Sequence, residues 1–354
     1  MPRFLFMADA HIKPRTWTNN PQIQGDAYAA LDKVAGLGNL PDTLVIGGDW
    51  FDTQRPSSMD MSETVRFAKN FNRVFYIKGN HDKSEPNWLS VIEHAEQLTL
   101  NPVDIGDAKI MGADWTPDEE ALQMQFETIY TEASKLGADD LLYVVVHQPS
   151  KHLLGFDGAW KLDFDVVAKS MEDYSIEATV VFLIGDIHLN DTTVFGDIIV
   201  HSPGCLYPLT EDAVDKLHGV TIVDGTEMHH ETVPVREYHS VEYTTDKELR
   251  AYIADAEACA KESGMLPPRI SVMVPDGVKI STDKAVILNT VHEEAPTMPG
   301  EEDRKVVECT MEAAIAQACG KDRTLRKLAL AVFASEDPVK CIEGWLKFWK
   351  VVRG

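Results

Sequence analysis

Five short apolar runs, each soon stopped by a glycine, an aspartate or a histidine, limit what this chain can fold into more than any other feature of it. They are residues 3–8 (RFLFMA), 43–47 (TLVIG), 73–77 (RVFYI), 141–146 (LLYVVV) and 179–184 (TVVFLI). Runs so short and so rich in β-branched and aromatic residues read as strands buried on both faces, as in an α/β sheet covered by helices. Helical periodicity falls between them, over 26–37 and 60–72. The polar residues therefore stand just past the C-terminal ends of strands, where open α/β sheets place their ligands. Two more strands are predicted at 192–201 and 219–224.

The pattern changes near 231–240. A helical stretch at 246–263 follows, then a break at Leu266-Pro267-Pro268, a strand-like segment at 269–275 and a loop rich in Glu, Pro and Gly over 293–303. The division this suggests is 1–235, 236–310 and 311–354, with no internal repeat. Residues 321–354 carry eight Lys/Arg against four Asp/Glu, whereas the whole chain of 354 residues is at −24. Two helices are expected in that tail. The second opens at Asp337-Pro338 and carries Ile342, Trp345, Leu346 and Trp349 at helical spacing, a stripe suited either to this chain's own core or to a partner.

A hydrophobic share of 44% and a charged share of 25% are those of a globular chain. No apolar run reaches membrane-spanning length, and the N-terminus has no leader-like apolar region. The charge argues against nucleic-acid binding by bulk positive charge, but not against an enzyme that meets phosphates through bound cations. Five cysteines (Cys205, Cys259, Cys309, Cys319, Cys341), odd in number and without a C-x-x-C pair, read as reduced thiols of a cytoplasmic protein.

The chemistry-bearing residues lie at the strand ends: Asp9 and His11 in D-A-H, Asp49 in G-G-D-W-F-D, Asn80 and His81 in G-N-H-D, His147 in V-V-V-H-Q-P, and Asp186 and His188 in G-D-I-H. Oxygen and imidazole donors without cysteine suit Mn²⁺, Fe²⁺ or Zn²⁺ in a working site and not a structural zinc site. Two cations need a bridging carboxylate, and Asp49 can supply it. Taken singly, each of these residues also suits a turn. Asp52, one turn beyond Asp49, reads as structural or as a support behind the metal ligands. His152, His201, His218, His229 and His230 read as bystanders. Arg55 suits either a substrate phosphate or a surface ion pair.

The ordered set D-x-H, G-D-x-x-D, G-N-H-D, H and G-x-x-H resembles the calcineurin-like metallophosphoesterases over roughly residues 1–230. The segments Gly48–Ser57 (GDWFDTQRPS), Val74–Asp82 (VFYIKGNHD) and His201–Tyr207 (HSPGCLY) are similar to those of the Mre11/SbcD nuclease branch. Thr53 and Asp82 depart from the protein phosphatases. The resemblance implies a four-layer αββα sandwich with a smaller C-terminal α+β cap that helps guide DNA. It implies two divalent cations, Mn²⁺ first, with Mg²⁺, Fe²⁺ or Zn²⁺ as alternatives.

One cation would take Asp9, His11, Asp49 and His188. The other would take Asp49, Asn80, His147 and Asp186, the last standing where the family usually has histidine. His81 would act on the leaving oxygen and Asp82 would orient it. The implied activity is hydrolysis of DNA phosphodiester bonds by metal-activated water, with a path of Lys13, Arg15, Arg55, Lys78, Lys83 and Lys151 for the phosphates. The implied partners are an SbcC/Rad50-like ATPase docking on residues 322–352 and a second copy, meeting through helices near 60–72 and 85–98. The setting would be a bacterial or phage-infected cytoplasm, with no membrane. The competing readings are a nucleotide or small-molecule phosphodiesterase with a closed pocket, and a scaffold whose G-D-I-H has cost it a working centre.

Overall fold

A computed structural model describes residues 2–17, 20–151, 162–210, 213–274 and 287–292. The chain begins β1 (Arg3–Met7), β2 (Arg15–Trp17), β3 (Asn20–Gln24), α1 (Asp26–Ala35), β4 (Thr43–Ile46), α2 (Ser58–Ala68) and β5 (Arg73–Tyr76). It continues β6 (Ala95–Gln97), β7 (Val103–Ile105), β8 (Ala108–Ala113), α3 (Glu119–Ala133), β9 (Leu141–His147), α4 (Phe164–Asp173) and β10 (Thr179–Gly185). After these come β11 (Asn190–Phe195), β12 (Ile198–Pro203), β13 (Gly219–Asp224), β14 (Glu227–Thr232), β15 (Arg236–Glu242), α5 (Asp246–Glu262), β16 (Leu266–Val274) and β17 (Ile287–His292).

Two six-stranded sheets form the body, ordered β14-β13-β1-β4-β5-β6 and β11-β12-β10-β9-β8-β7. β1, β4, β5 and β6 run parallel in the first, and β12, β10, β9 and β8 in the second. Side chains alternate across each strand, and this alternation builds three apolar layers. Leu5 and Met7 of β1 face α1 and α2, while Phe4 and Phe6 face the opposite sheet. Leu142, Val144 and Val146 of β9 face α3 and α4, while Tyr143 and Val145 face β1 and β5. Phe4 meets Tyr143 edge-on between the sheets, ring centroids 4.9 Å apart. The result is the expected helix–sheet–sheet–helix stack.

A third sheet, β15-β16-β17, is parallel, and α5 covers it with Leu249 and Ala256 against Ile270 and Val272. Its first residue ties it to the body. Arg236 is buried and meets both carboxylate oxygens of Asp26, at 2.9 and 3.0 Å, at the start of α1.

Three expectations change. Residues 192–201 are not one strand but the hairpin β11–β12, turning at Gly196 with φ +56°. Residues 85–98 are not a helix; they hold a 3₁₀ turn at Trp88–Val91 and the short strand β6. Pro267 and Pro268 do not break the chain but open β16. They lie in an irregularity against β15 and before pairing with β17 begins at Arg269, so neither is asked for a ladder hydrogen bond. The expected tail helices, with Trp345 and Trp349, lie outside the described residues, as do Cys309, Cys319 and Cys341. Among the described residues, no helix is long and apolar enough to cross a membrane.

Candidate metal centre

β1, β4, β5, β9 and β10 all end at one place. Asp9 and His11 follow β1, Asp49 follows β4, and Asn80 and His81 follow β5. His147 closes β9, and Asp186 and His188 follow β10. The turns that carry them are tight: Asp9, His11, Asp49 and Asp186 have φ of 51°, 41°, 49° and 70°. They are four of the five non-glycine residues with positive φ among the described residues. Strain of this kind costs on the order of 1–3 kcal/mol per residue and persists where surrounding contacts enforce it. Gly48, at φ +90°, and Gly79 leave room for those contacts. A Cβ on Gly48 would strike the His147 ring, and one on Gly79 would strike the Asp49 carboxylate and amide.

Backbone bonds knit the loops together. His11 N–H donates to the Asp49 carbonyl at 2.9 Å, and Asp9 N–H to the Gly48 carbonyl at 3.2 Å. His81 N–H donates to Asp49 Oδ1 at 2.8 Å. The Asp186 N–H reaches both carboxylate oxygens of Asp9 at 3.1 Å.

The side chains then converge. His11 Nε2 is 3.7 Å from Asp49 Oδ2, and His147 Nε2 is 3.4 Å from the same oxygen. His188 Nε2 is 3.8 Å from Asp9 Oδ1, and His147 Nε2 is 3.8 Å from Asp186 Oδ1 and 3.2 Å from Asn80 Oδ1. The groups Asp9–His11–His188 and Asp9–Asp49–His147 each bring three donor atoms within 4.8 Å of one another. Asp9 belongs to both groups, and Asp49 Oδ2 faces a histidine of each, His11 and His147.

The electrostatics match a place built for positive charge. Burial pushes the Asp9 carboxyl well above its ordinary range, opposed only in part by His147. Burial would lower His147, but Asp49, Asp9 and Asp186 outweigh it and push the imidazole up to about 10. The Nε2 of buried His11 lacks a hydrogen-bond partner. A buried donor or acceptor left unmade costs about 1–3 kcal/mol, and a cation at this point would remove that cost. The donor set, the crowded carboxylates and the orphaned imidazole all fit divalent cations. His147 is oriented for it: Nδ1–H donates to the Gly47 carbonyl at 2.7 Å, which leaves Nε2 to face the carboxylates.

The expected site residues are thus brought together, with two differences. Asp82 does not hold His81. Its two oxygens accept from Trp50 N–H and Gly79 N–H, both at 2.8 Å, and the His81 Nδ1–H goes instead to the Asp52 carbonyl at 2.8 Å. Asp52 also faces His11 Nδ1 at 3.4 Å and binds Lys13 at 2.8 Å; although burial opposes it, these contacts hold its carboxyl at about 2. Its place three residues past Asp49 was the signal for such a supporting role. The Tyr207 hydroxyl, donating to the His11 carbonyl at 2.7 Å, had none.

The expected phosphate path is altered too. Lys13 is paired with Asp52, Lys78 with Glu85 and Asp114, and Lys151 with Asp163. Lys83 sits over the Trp115 ring. Arg15 and Arg55 are exposed.

Residues 2–190 match the family model for calcineurin-like phosphoesterases. The chain is 24% identical over 269 residues, 71% of its length, to a DNA double-strand break repair protein Mre11 of Methanosarcina mazei. It is 31% identical over 125 residues, 32% of its length, to the protein of the same name from Methanosarcina acetivorans. The matched stretches span 41% and 20% of those relatives, so the chain corresponds to less than half of either. Among solved structures, TT1561 of Thermus thermophilus is similar at a TM-score of 0.43 and 12% identity, over 66% of this chain and 99% of that one.

Proposed function

The chain belongs to the calcineurin-like phosphoesterases, a family of metal-dependent hydrolases, and from that premise we propose that it is a two-metal DNA nuclease of the Mre11/SbcD type. One observation carries the reading: five strand-end motifs meet around Asp49, in a chain that matches a protein named for DNA double-strand break repair over 71% of its length.

Asp9, His11, Asp49 and His188 would hold one cation, and Asp49, Asn80, His147 and Asp186 the other. When bound, such cations supply Lewis acidity, lowering the pKa of water and neutralising charge on phosphoryl oxygens. Manganese suits these oxygen and imidazole donors. His81 works beside them. With Nδ1–H committed to the Asp52 carbonyl, its Nε2 is left for the substrate and, when protonated, donates to the leaving oxygen as general acid. The Asp52 carbonyl steadies the imidazolium. Asp82 braces the loops that carry Asp49 and Asn80. Arg55 is exposed and, among the described residues, has no acidic partner, which suits it to a phosphate.

We assign residues 1–235 to the nuclease body, 236–310 to a cap and 311–354 to a docking segment. An SbcC/Rad50-like ATPase and a second copy are the protein partners this reading carries, in a bacterial or phage-infected cytoplasm. The pairing of Lys13, Lys78 and Lys151 with acids favours one second reading, a nucleotide phosphodiesterase that needs no long phosphate path.

The test is incubation with single- and double-stranded DNA, nucleotide diesters and bis-p-nitrophenyl phosphate in Mn²⁺, Mg²⁺ or EDTA, with Asp49→Asn and His81→Ala alongside. DNA cleavage that needs Mn²⁺ and fails in both variants is expected. Cleavage of small diesters alone, with DNA untouched by the chain with or without its ATPase partner, would sink the nuclease and leave the second reading.

A further inference from the structure

Trp88 is an exposed tryptophan tethered to the loop whose Asp52 carbonyl holds His81. The residue is 38% exposed. The indole N–H donates to the Gln54 carbonyl at 2.9 Å. Gln54 lies two residues beyond Asp52, whose carbonyl holds His81 Nδ1. From the other side, Asn87 donates its amide to the Asp82 carbonyl at 2.6 Å and caps the 3₁₀ turn that begins at Trp88. His81, Asp52, Gln54, Trp88, Asn87 and Asp82 therefore form a closed ring of covalent and hydrogen-bonded links. The indole cannot swing away without breaking one of them.

A core tryptophan hides its face, and a surface tryptophan with no task is costly to expose. This one has its polar edge satisfied by protein, so the part left to solvent is apolar ring. An aromatic face already fixed in place loses little entropy when a flat ligand covers it. Arg55, the next residue after Gln54, is exposed and has no ion-pair partner among the described residues. A fixed aromatic face tethered to a loop that also carries a free arginine offers the pairing that single-stranded nucleic acid recognises: base on ring, phosphate on arginine.

We propose that Trp88 is a nucleobase-stacking platform which, with Arg55, seats a single-stranded end of the substrate next to His81. This rests on the nucleic-acid reading of the centre and adds to it: the enzyme recognises an unpaired nucleotide beside the scissile phosphate, not duplex backbone alone. Stacking places the base, and His81 then meets the leaving oxygen of the adjoining phosphate.

The test compares a short thymidine oligonucleotide with an abasic one of equal length and charge, by fluorescence anisotropy in EDTA. Wild type, Trp88→Ala and Trp88→Phe are run together. Mn²⁺-dependent hydrolysis of methyl p-nitrophenyl phosphate, which carries no base, reports the metal centre. The wild type should prefer the thymidine strand by at least about fivefold, the lower end of what one stacked base is worth. Trp88→Ala should lose that preference while hydrolysis of the small diester stays within about twofold. Trp88→Phe should keep the preference, because a phenyl ring stacks without the N–H.

Equal affinity of the wild type for the two strands would overturn the proposal. So would a Trp88→Phe variant as deficient as Trp88→Ala, since the tryptophan would then act by tethering the Asp52–Gln54 loop. A change in sedimentation of Trp88→Ala at unchanged oligonucleotide preference would also overturn it, and would assign Trp88 to a contact with a second copy of the chain. Preferential binding of the thymidine strand with no cleavage of any DNA would instead defeat the nuclease reading alone.

Discussion

Both oxygens of the buried Asp82 carboxylate accept backbone N–H groups, from Trp50 and from Gly79, and so join the loop after β4 to the loop after β5. Asp82→Asn keeps the shape but turns one acceptor into a donor that faces an amide. A hydrogen bond to a charged group contributes about 1.5–3 kcal/mol, so the variant should lose roughly that amount of stability in urea unfolding. Its loss of activity should track the displaced loops and leave the pH dependence of the residual rate unmoved. The motif G-N-H-D set Asp82 beside His81 in sequence, and an orienting role followed from adjacency. Adjacency cannot say which way a side chain turns at a strand end.

A second residue-scale consequence concerns His201. It is buried in β12 between the Thr192 and Thr221 hydroxyls, both at 2.8 Å. Burial, with a smaller push from His230, lowers its pKa to about 4. The unfolded chain binds this proton near pH 6.5 and the folded chain only near 4. The stability is therefore complete above about pH 6.5 and lost as pH falls toward 4, by about 3 kcal/mol. Urea midpoints of wild type and His201→Gln should diverge at pH 7 and converge near pH 4. Parallel curves would refute the assignment.

At the level of elements, the strands were legible because their period was: β1, β4, β5, β9, β10 and β13 all coincide with short apolar runs. The hairpin β11–β12 was not, since Gly196-Asp197 turns the chain between two β-branched stretches, Thr192–Phe195 and Ile198–Val200, that together read as one strand. The prolines of β16 misled for a related reason. What decides their tolerance is the register against β15 and β17, which a single chain segment does not reveal. The site was legible as a set of strand ends but not as a wiring diagram, because the bonds that fix it run mostly to backbone. Gly79 tests that wiring. A Cβ there would lie 2.7 Å from Asp49 Cγ and closer still to its amide, a backbone collision that no rotamer relieves. Gly79→Ala should retain its helical and strand content by circular dichroism but bind Mn²⁺ at least about tenfold more weakly in calorimetric titration, as expected when a ligand's support is moved.

The third sheet hangs on a different element-scale device. Arg236→Ala would leave the Asp26 carboxylate buried with only Thr16 to meet it, at a cost of about 3–5 kcal/mol. Replacing both partners, Arg236→Met with Asp26→Leu, should cost less than the single change, and additivity in a double-mutant cycle would show that the two do not act as a pair.

For the molecule as a whole, charge is the governing quantity. A net −24 repels itself, and within it the carboxylates of Asp9, Asp49 and Asp186 are gathered around one buried histidine. Two kinds of cation effect should therefore separate. Monovalent salt screens the whole surface and should raise the melting temperature of wild type and Asp49→Asn alike. Divalent cation acts by mass action at the centre. If it binds the folded chain alone, stabilisation grows as RT ln(1 + [L]/Kd), about 2.7 kcal/mol at a hundredfold excess over Kd. A Mn²⁺ titration in constant high salt should raise the melting temperature of the wild type along such a curve. Asp49→Asn, which loses the carboxylate that faces both His11 and His147, should show little of it. Equal gains in the two proteins would mean that Mn²⁺ is answering the surface charge and that the strand-end cluster is not the site where it binds. A gain confined to the wild type would place the cation at Asp49 without any assay of catalysis.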